Sequence, residues 1–247
     1  MMRGMMQTTS IKGLFAGVGF LFFTPSVLHS EDRVKGDSLS HATRYISPSL
    51  TKEDKMYINK HAKQFVKSYI RDNKKKLNRI RQRSQFPFAV ADSIFNKYSL
   101  PIQLKYLEVI ESELKAKAVS RVGAVGPWQL MPKTAQILGL KTTHAHDERT
   151  QYRKSTKAAA RYLRDLYAEF GDWLLVLAAY NGGPGPVHRA IHKSGSRNFW
   201  KLQAYLPAES RNHVKKFIAA LYYFEGQGGA VKTTDTVAAP IASVRAE

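Results

Sequence analysis

The chain has 247 residues, 43% hydrophobic and 23% charged, which suits a globular protein with one sizeable core rather than a disordered chain. There are 39 Lys and Arg against 19 Asp and Glu, a formal net charge of +20, so the surface favours polyanions: nucleic acid, anionic lipid or acidic envelope polymers. There is no cysteine, which excludes disulfides, thiol chemistry and a lipid-modified cysteine anchor.

Arg3 and Lys12 precede an apolar run, GLFAGVGFLFF from Gly13 to Phe23, followed by TPSVLHS. This pattern predicts a secretory leader over residues 1–30, cut near Ser30. The run is too short for an ordinary transmembrane helix, which needs about 20 residues. The competing assignment is a buried N-terminal helix, but no amphipathic pattern accompanies the run. Export to the periplasm or cell envelope follows, and with it the expectation that nucleic acid is not the working partner.

Residues 31–50 are polar and Ser-rich and read as a linker. From Thr51 to Arg83 the chain is dense in Lys and Arg, with Tyr57, Phe65, Tyr69 and Ile70 as a thin apolar stripe. One or two basic amphipathic helices are expected there. Their charged face reads either as simple solvation or as a contact for anionic envelope polymers, and it also allows peripheral membrane association. Residues 31–98 are thus a linker and basic helical extension.

Pro101 opens a second unit over 99–224. SLPIQLKYLEVIESEL sets proline at a helix start, where it is tolerated. The spacing predicts further helices across Pro132–Leu138, Gln151–Phe170, Trp173–Tyr180, Pro186–Lys193 and Glu209–Phe224, joined by glycine-rich turns. No alternating strand pair stands out, so the fold class is mainly α. Residues 225–247 read as a disordered tail.

Within YLEVIESEL, Leu104, Leu107 and Leu114 recur at helical spacing. At about 100° per residue, Glu111 projects within roughly 40° of Leu104 and Leu107. An ionised carboxylate on an apolar face is costly unless it is paired or protonated. An acid catalyst working at neutral pH needs such a setting, because burial raises its pKa. The alternative is a core carboxylate held by an arginine. Glu108, one turn earlier, is either a close like charge that strengthens this effect or a solvent-facing residue.

Four segments stand in order: Glu111-Ser112; AVSRVGAVGPWQLMPKTA, residues 118–135; AAYNGGPG, residues 178–185; and LPAESRNHVKKFIA, residues 206–219. In this order and spacing they resemble the lytic transglycosylases of the lysozyme-like superfamily, closest to the membrane-bound murein transglycosylase D type. The resemblance implies a lysozyme-like transglycosylase domain with Glu111 as the sole acid/base. It sets Ser120, Gln129, Met131, Tyr180 and Asn181 in a glycan cleft. It implies cleavage of the β-1,4 MurNAc-GlcNAc bond of peptidoglycan to leave 1,6-anhydroMurNAc ends, with no metal and no cofactor. Trp128 and Tyr180 offer flat faces for sugar rings, although a core role is the commoner fate of tryptophan. Asp147-Glu148-Arg149 reads as a cap or ion pair. His144 with His146, and His188 with His192, lack an evident third metal ligand.

The sequence departs from the family pattern at several positions. Pro127 and Leu114 replace other residue types, and His213 stands where many relatives carry a substrate-contacting tyrosine. The rival assignments are a hydrolase that uses water as nucleophile and a non-enzymatic wall-binding protein. An ordinary glycosidase needs two carboxylates, and the matched motifs hold one.

Overall fold

The computed structural model describes residues 60–143 and 145–226. Residues 1–30, expected as a leader, residues 31–59 of the expected extension, His144 and residues 227–247 lie outside the described residues. Nine α-helices stand among those that are described: α1 Lys60–Gln82, α2 Gln85–Lys97, α3 Tyr106–Ser112, α4 Pro132–Ile137, α5 Tyr152–Phe170, α6 Trp173–Gly182, α7 Pro184–Ser194, α8 Phe199–Leu202 and α9 Ala208–Glu225. Extended pairing among these residues is limited to isolated bridges, Val119 with Val125, Val125 with Leu130 and Thr142 with Asp147. The fold is mainly α with a basic helix at its N-terminal side. α4, α5, α6, α7 and α9 fall within two residues of the bounds expected from the sequence.

α6 is the hub. Every side chain from Trp173 to Ala179 is buried, so the helix is apolar on all faces and must be surrounded. α5, α7 and α9 pack around it. Asp172 caps its start, Oδ1 accepting from the Leu175 N–H at 2.9 Å.

α1 is amphipathic. Ala62, Val66, Leu77 and Ile80 are buried at helical spacing, whereas Lys74, Lys75 and Arg79 are exposed. The helix packs along α9. Arg81 lies over the Tyr223 ring, 4.4 Å from its centroid, and donates to the Tyr223 carbonyl. The basic extension is therefore tied to the last helix of the domain.

α2 carries no separate sequence signal. It buries Val90, Ala91, Ile94 and Phe95 and packs on α5. Pro87 sits in its first turn, where its missing N–H costs no intrahelical bond. Phe95 meets the Trp128 ring with centroids 5.6 Å apart, and this contact fixes the depth of the loop that follows α3.

α3 is short and is entered through a 3-10 turn, Ile102–Lys105. It ends abruptly because Glu113 (φ 55°) and Leu114 (φ 63°) are both left-handed. For residues other than glycine this costs on the order of 1–2 kcal/mol each, and it persists only where the surroundings impose it. Here Arg83 donates to the Glu113 carbonyl from Nη2 at 2.7 Å and Nε at 3.2 Å, and Tyr152 Oη donates to the Leu114 carbonyl. Leu114 itself is buried, so the leucine stripe continues past the end of the helix.

Candidate active site

A cavity of about 380 Å³ opens at the C-terminal end of α3. That volume falls in the roughly 300–1,000 Å³ range of small-ligand sites. Glu111, Ser120 and Gln129 line it together, and α1 and α9 supply further wall.

Glu111 is 15% exposed, and its Oε1 lies 2.8 Å from Nε2 of His213 on α9. Nε2–H donates to Oε1 whether Glu111 is ionised or carries its proton on Oε2. Nδ1 of His213 is buried and has no partner among the described residues, so the ring's hydrogen bond is the one to Glu111. The stripe expected from the sequence accounts for Leu104, Leu107 and Leu114, all buried. It misses the histidine, which makes the immediate surroundings of Glu111 polar on one side.

Glu108 is not solvent-facing. It is fully buried, and neither carboxylate oxygen has a partner among the described residues. Burial pushes its pKa well above the usual range and so favours the uncharged acid. In that form Glu108 exerts no like-charge repulsion on Glu111.

Residues 118–130 form a loop braced by backbone bridges. The Ser120 N–H donates to the Ala124 carbonyl at 2.9 Å, and Ser120 Oγ accepts from the Ala124 N–H at 2.9 Å. Gln129 has φ 47°, and its Nε2 donates to the carbonyls of Gly126 at 2.9 Å and Ala118 at 3.3 Å. Ser112 Oγ donates to the Pro127 carbonyl at 2.8 Å, tying the end of α3 to the loop. Arg149 closes the far side. Its Nη1 donates to the carbonyls of Gly123 and Leu130, each at 2.9 Å, and its guanidinium pairs with Asp147 at 2.6 Å. Asp147 Oδ1 also accepts from the Arg149 N–H. Gly126 is held at φ +86°, and a Cβ there would lie 1.9 Å from the Arg149 carbonyl oxygen. The chain passes too closely for any other residue.

Met131, Tyr180 and Asn181 do not line this cavity. Met131 is exposed ahead of α4. Tyr180 Oη donates to the Trp128 carbonyl at 2.7 Å; burial first, and then the Glu111 carboxylate, hold its hydroxyl well above the ordinary phenol range. Asn181 Oδ1 accepts from Ser210 Oγ at 3.1 Å. Trp128 offers no face to a sugar: it is fully buried, with Nε1 donating to Thr156 Oγ1 at 2.9 Å. His146 lies 3.7 Å from Glu148, and His188 pairs with Glu169. Sequence reasoning also missed Glu113, a second carboxylate on the cavity wall, held between Lys115 at 3.0 Å and Arg83 at 3.6 Å. Partial burial favours its neutral form, but Lys115, Lys76 and Arg83 outweigh that and hold it below the usual carboxylate range.

Helices packed around one buried helix thus set a part-enclosed glutamate at the edge of a cavity. Residues 93–203 match the family model described as the transglycosylase SLT domain. The chain is 35% identical over 167 residues to membrane-bound lytic murein transglycosylase D of Escherichia coli, a match covering 65% of this chain and 36% of that one. It is 30% identical over 152 residues to the soluble lytic murein transglycosylase of Salmonella typhimurium, covering 57% of this chain and 23% of the relative. The solved complex of the 70-kDa soluble lytic transglycosylase with bulgecin A superposes with a TM-score of 0.50 at 21% identity, over 73% of this chain and 33% of that one, and shows the fold alone. The chain spans about a third of the length of the first of these relatives. α1 and α9, which supply cavity wall and His213, lie outside the residues matched by the family model.

Proposed function

We propose that this domain is a lytic transglycosylase acting on peptidoglycan, with Glu111 as acid and then base. The observation that carries the reading is a solvent-reached carboxyl, bonded to His213, in a cavity that also holds Ser120 and Gln129. The murein transglycosylases among the relatives support the substrate class.

In the first step Glu111 donates its proton to the glycosidic oxygen as the bond from the muramic anomeric carbon to that oxygen breaks. The carboxylate then takes the proton of the sugar's own 6-hydroxyl, whose oxygen bonds to the anomeric carbon and closes the 1,6-anhydro ring. Glu111 ends protonated, and no water is consumed. The nucleophile is tethered to the substrate, so its approach costs little entropy, and one carboxyl suffices where hydrolysis by the usual route needs two. His213 Nε2–H donates to Oε1 in both forms of the carboxyl, so the bond persists while Oε2 carries the proton that is given up and then retaken. Met131, Tyr180 and Asn181 belong, on this reading, to the glycan cleft beyond the cavity. The leader-like residues 1–30 support export to the cell envelope, and no helix among the described residues is long and apolar enough to cross a membrane.

Glu113 favours a second reading. An ionised carboxylate on the same wall is what a hydrolase would use to activate water or stabilise a cation. Digestion of purified sacculi followed by mass spectrometry separates the two. Anhydro ends are expected, and they should vanish with Glu111→Gln, falling at least about 100-fold. Reducing ends, lost with Glu113→Gln, would establish the hydrolase instead.

A further inference from the structure

The cavity wall carries three lysines, Lys76 from α1, Lys115 after α3 and Lys216 from α9, against two carboxylates, Glu111 and Glu113. Glu113 is taken up by Lys115 and Arg83. Lys76 and Lys216 make no hydrogen bond or ion pair among the described residues, although Lys76 is near enough to lower the pKa of Glu113 through space. The two buried cations among the described residues, Lys105 and Arg149, are each matched at close range, with Asp92 at 2.8 Å and with Asp147 at 2.6 Å.

The position of Lys76 is also unusual for its helix. Tyr69, Lys76 and Ile80 share one face of α1 at helical spacing, and all three reach the cavity. Lys74 and Lys75 point to solvent, whereas Lys76 is half-buried. A lysine on the packed side of an amphipathic helix buries its stem and presents its ammonium at the edge of the apolar surface. Lys216 follows His213 by one turn on α9, so the helix that contacts Glu111 also brings the second unpaired cation.

We propose that Lys76 and Lys216 bind a carboxylate on the side arm of the muramic acid residue. This deepens the reading of the domain as a peptidoglycan transglycosylase and rests on it. The alternating N-acetylated sugars are uncharged, and the glycan's negative charge hangs from the 3-oxygen of the muramic ring. It is either the lactyl carboxylate of a peptide-free residue or a carboxylate of the attached stem peptide. The anomeric carbon that Glu111 must meet belongs to the same ring. A cavity holding both the acid and two unpaired ammonium groups reads the ring and its arm together, and distinguishes a muramic unit from a neutral N-acetylglucosamine unit. Both lysines lie outside the segment matched by the family model, so this selectivity is a property of the surrounding helices.

The test uses the full chain carrying Glu111→Gln, titrated calorimetrically with three glycans of equal length. These are peptide-bearing strands, peptide-free strands with free lactyl groups, and neutral N-acetylglucosamine oligomers. Adding Lys76→Met with Lys216→Gln should weaken binding of the anionic strands about tenfold, as for loss of charge-assisted bonds, and leave the neutral oligomer unchanged. Loss confined to peptide-free strands assigns the site to the lactyl carboxylate; loss confined to peptide-bearing strands assigns it to the stem; loss for both means that either carboxylate is accepted. The pair Lys76→Arg with Lys216→Arg keeps both charges and should retain binding. Equal weakening on the neutral oligomer, or none on any strand, overturns the proposal. If the parent chain cleaves no strand at all, the transglycosylase reading fails and the proposal falls with it. Cleavage by the parent with unaltered selectivity in the lysine variants overturns the proposal alone.

Discussion

His213 reaches across 102 residues of sequence to set Nε2 2.8 Å from Oε1 of Glu111, and it is the hydrogen-bond partner of that carboxyl among the described residues. One side of the pair comes from α3 and the other from α9, so the packing of these two helices sets the direction in which Glu111 points.

A positioning role predicts a graded response. His213→Leu removes the bond and should lower kcat by about 10- to 100-fold, the scale of a carboxyl misplaced by about an ångström. KM should change little, because the bond is to the acid and not to the glycan. His213→Gln keeps a donor near the Nε2 position and should recover much of the loss. Steady-state kinetics on a soluble glycan of defined length decides it. Equal losses for Leu and Gln, or a rise in KM alone, would show that His213 does not act through Glu111.

Glu108 makes a prediction about stability. Its ordinary pKa is 4.5, and burial raises it well above that in the folded chain. At pH values between the two the folded protein holds a proton that the unfolded chain has released. Stability therefore falls as pH rises through that window, and the penalty is absent below about pH 4, where both states are neutral. Glu108→Met keeps length and volume while removing two unpartnered buried oxygens. It should stabilise by about 1–3 kcal/mol at neutral pH, the usual cost of an unsatisfied buried polar group, and by less at pH 4. Thermal melts at the two pH values read this directly. A destabilised variant, or a gain that ignores pH, refutes the assignment of Glu108 as a neutral buried acid.

Gly126 and Gly123 form an internal comparison. Both have φ near +87°. At Gly126 a Cβ would fall 1.9 Å from the carbonyl oxygen of Arg149, which is itself pinned by Asp147, Gly123 and Leu130. At Gly123 nothing lies within 4 Å. Gly126→Ala should cost about 2–4 kcal/mol, combining backbone strain with overpacking. Gly123→Ala should cost only the left-handed penalty of about 1 kcal/mol. Glycan binding should fall with Gly126→Ala, because the displaced loop carries Ser120 and Gln129. Equal costs at the two positions would mean that the loop yields freely and Arg149 does not brace it.

The ease of reading the sequence varied with the range of the interaction. α5 and α9 announce themselves by periodic leucines, alanines and aromatics, because each has one wet face. α2 does not, since QFPFAVADSIFNK mixes a proline with a weak apolar pattern and its burial comes from α5. Glu108 was misjudged because stripe reasoning assumes that a short helix has a solvent side. In α3 every residue from Tyr106 to Val109 is buried, so periodicity carries no information about which glutamate sees water. Trp128 went to the core because Phe95 and Thr156 close over it from other helices. The His213–Glu111 bond and the cavity face of Lys76 are long-range facts with no local signal.

α1 leads to the last prediction. The family match begins at residue 93, which suggests that the preceding helix is an appendage. Its packing says otherwise. Ala62, Val66, Leu77 and Ile80 are buried along α9, Arg81 stacks on Tyr223, and Tyr69, Lys76 and Ile80 wall the cavity. Burying a Val, Leu or Ile side chain contributes about 1.5–3 kcal/mol, and a domain's whole net stability is about 5–15 kcal/mol. A fragment starting at residue 84 gives up three such side chains and bares the facing side of α9, which also carries His213. It should lose cooperative melting and glycan cleavage together. Leu77→Ala in the full chain is the milder version and should cost about 2–5 kcal/mol without abolishing the fold. Lys74→Glu with Lys75→Glu, on the exposed face of the same helix, should leave the melting temperature nearly unchanged and reduce binding to sacculi at low salt only, since exposed charges are screened within about 10 Å at 0.1 M. If the fragment from residue 84 melts cooperatively at the temperature of the full chain and cleaves glycan equally well, α1 is an appendage after all and its place in the cavity wall is incidental.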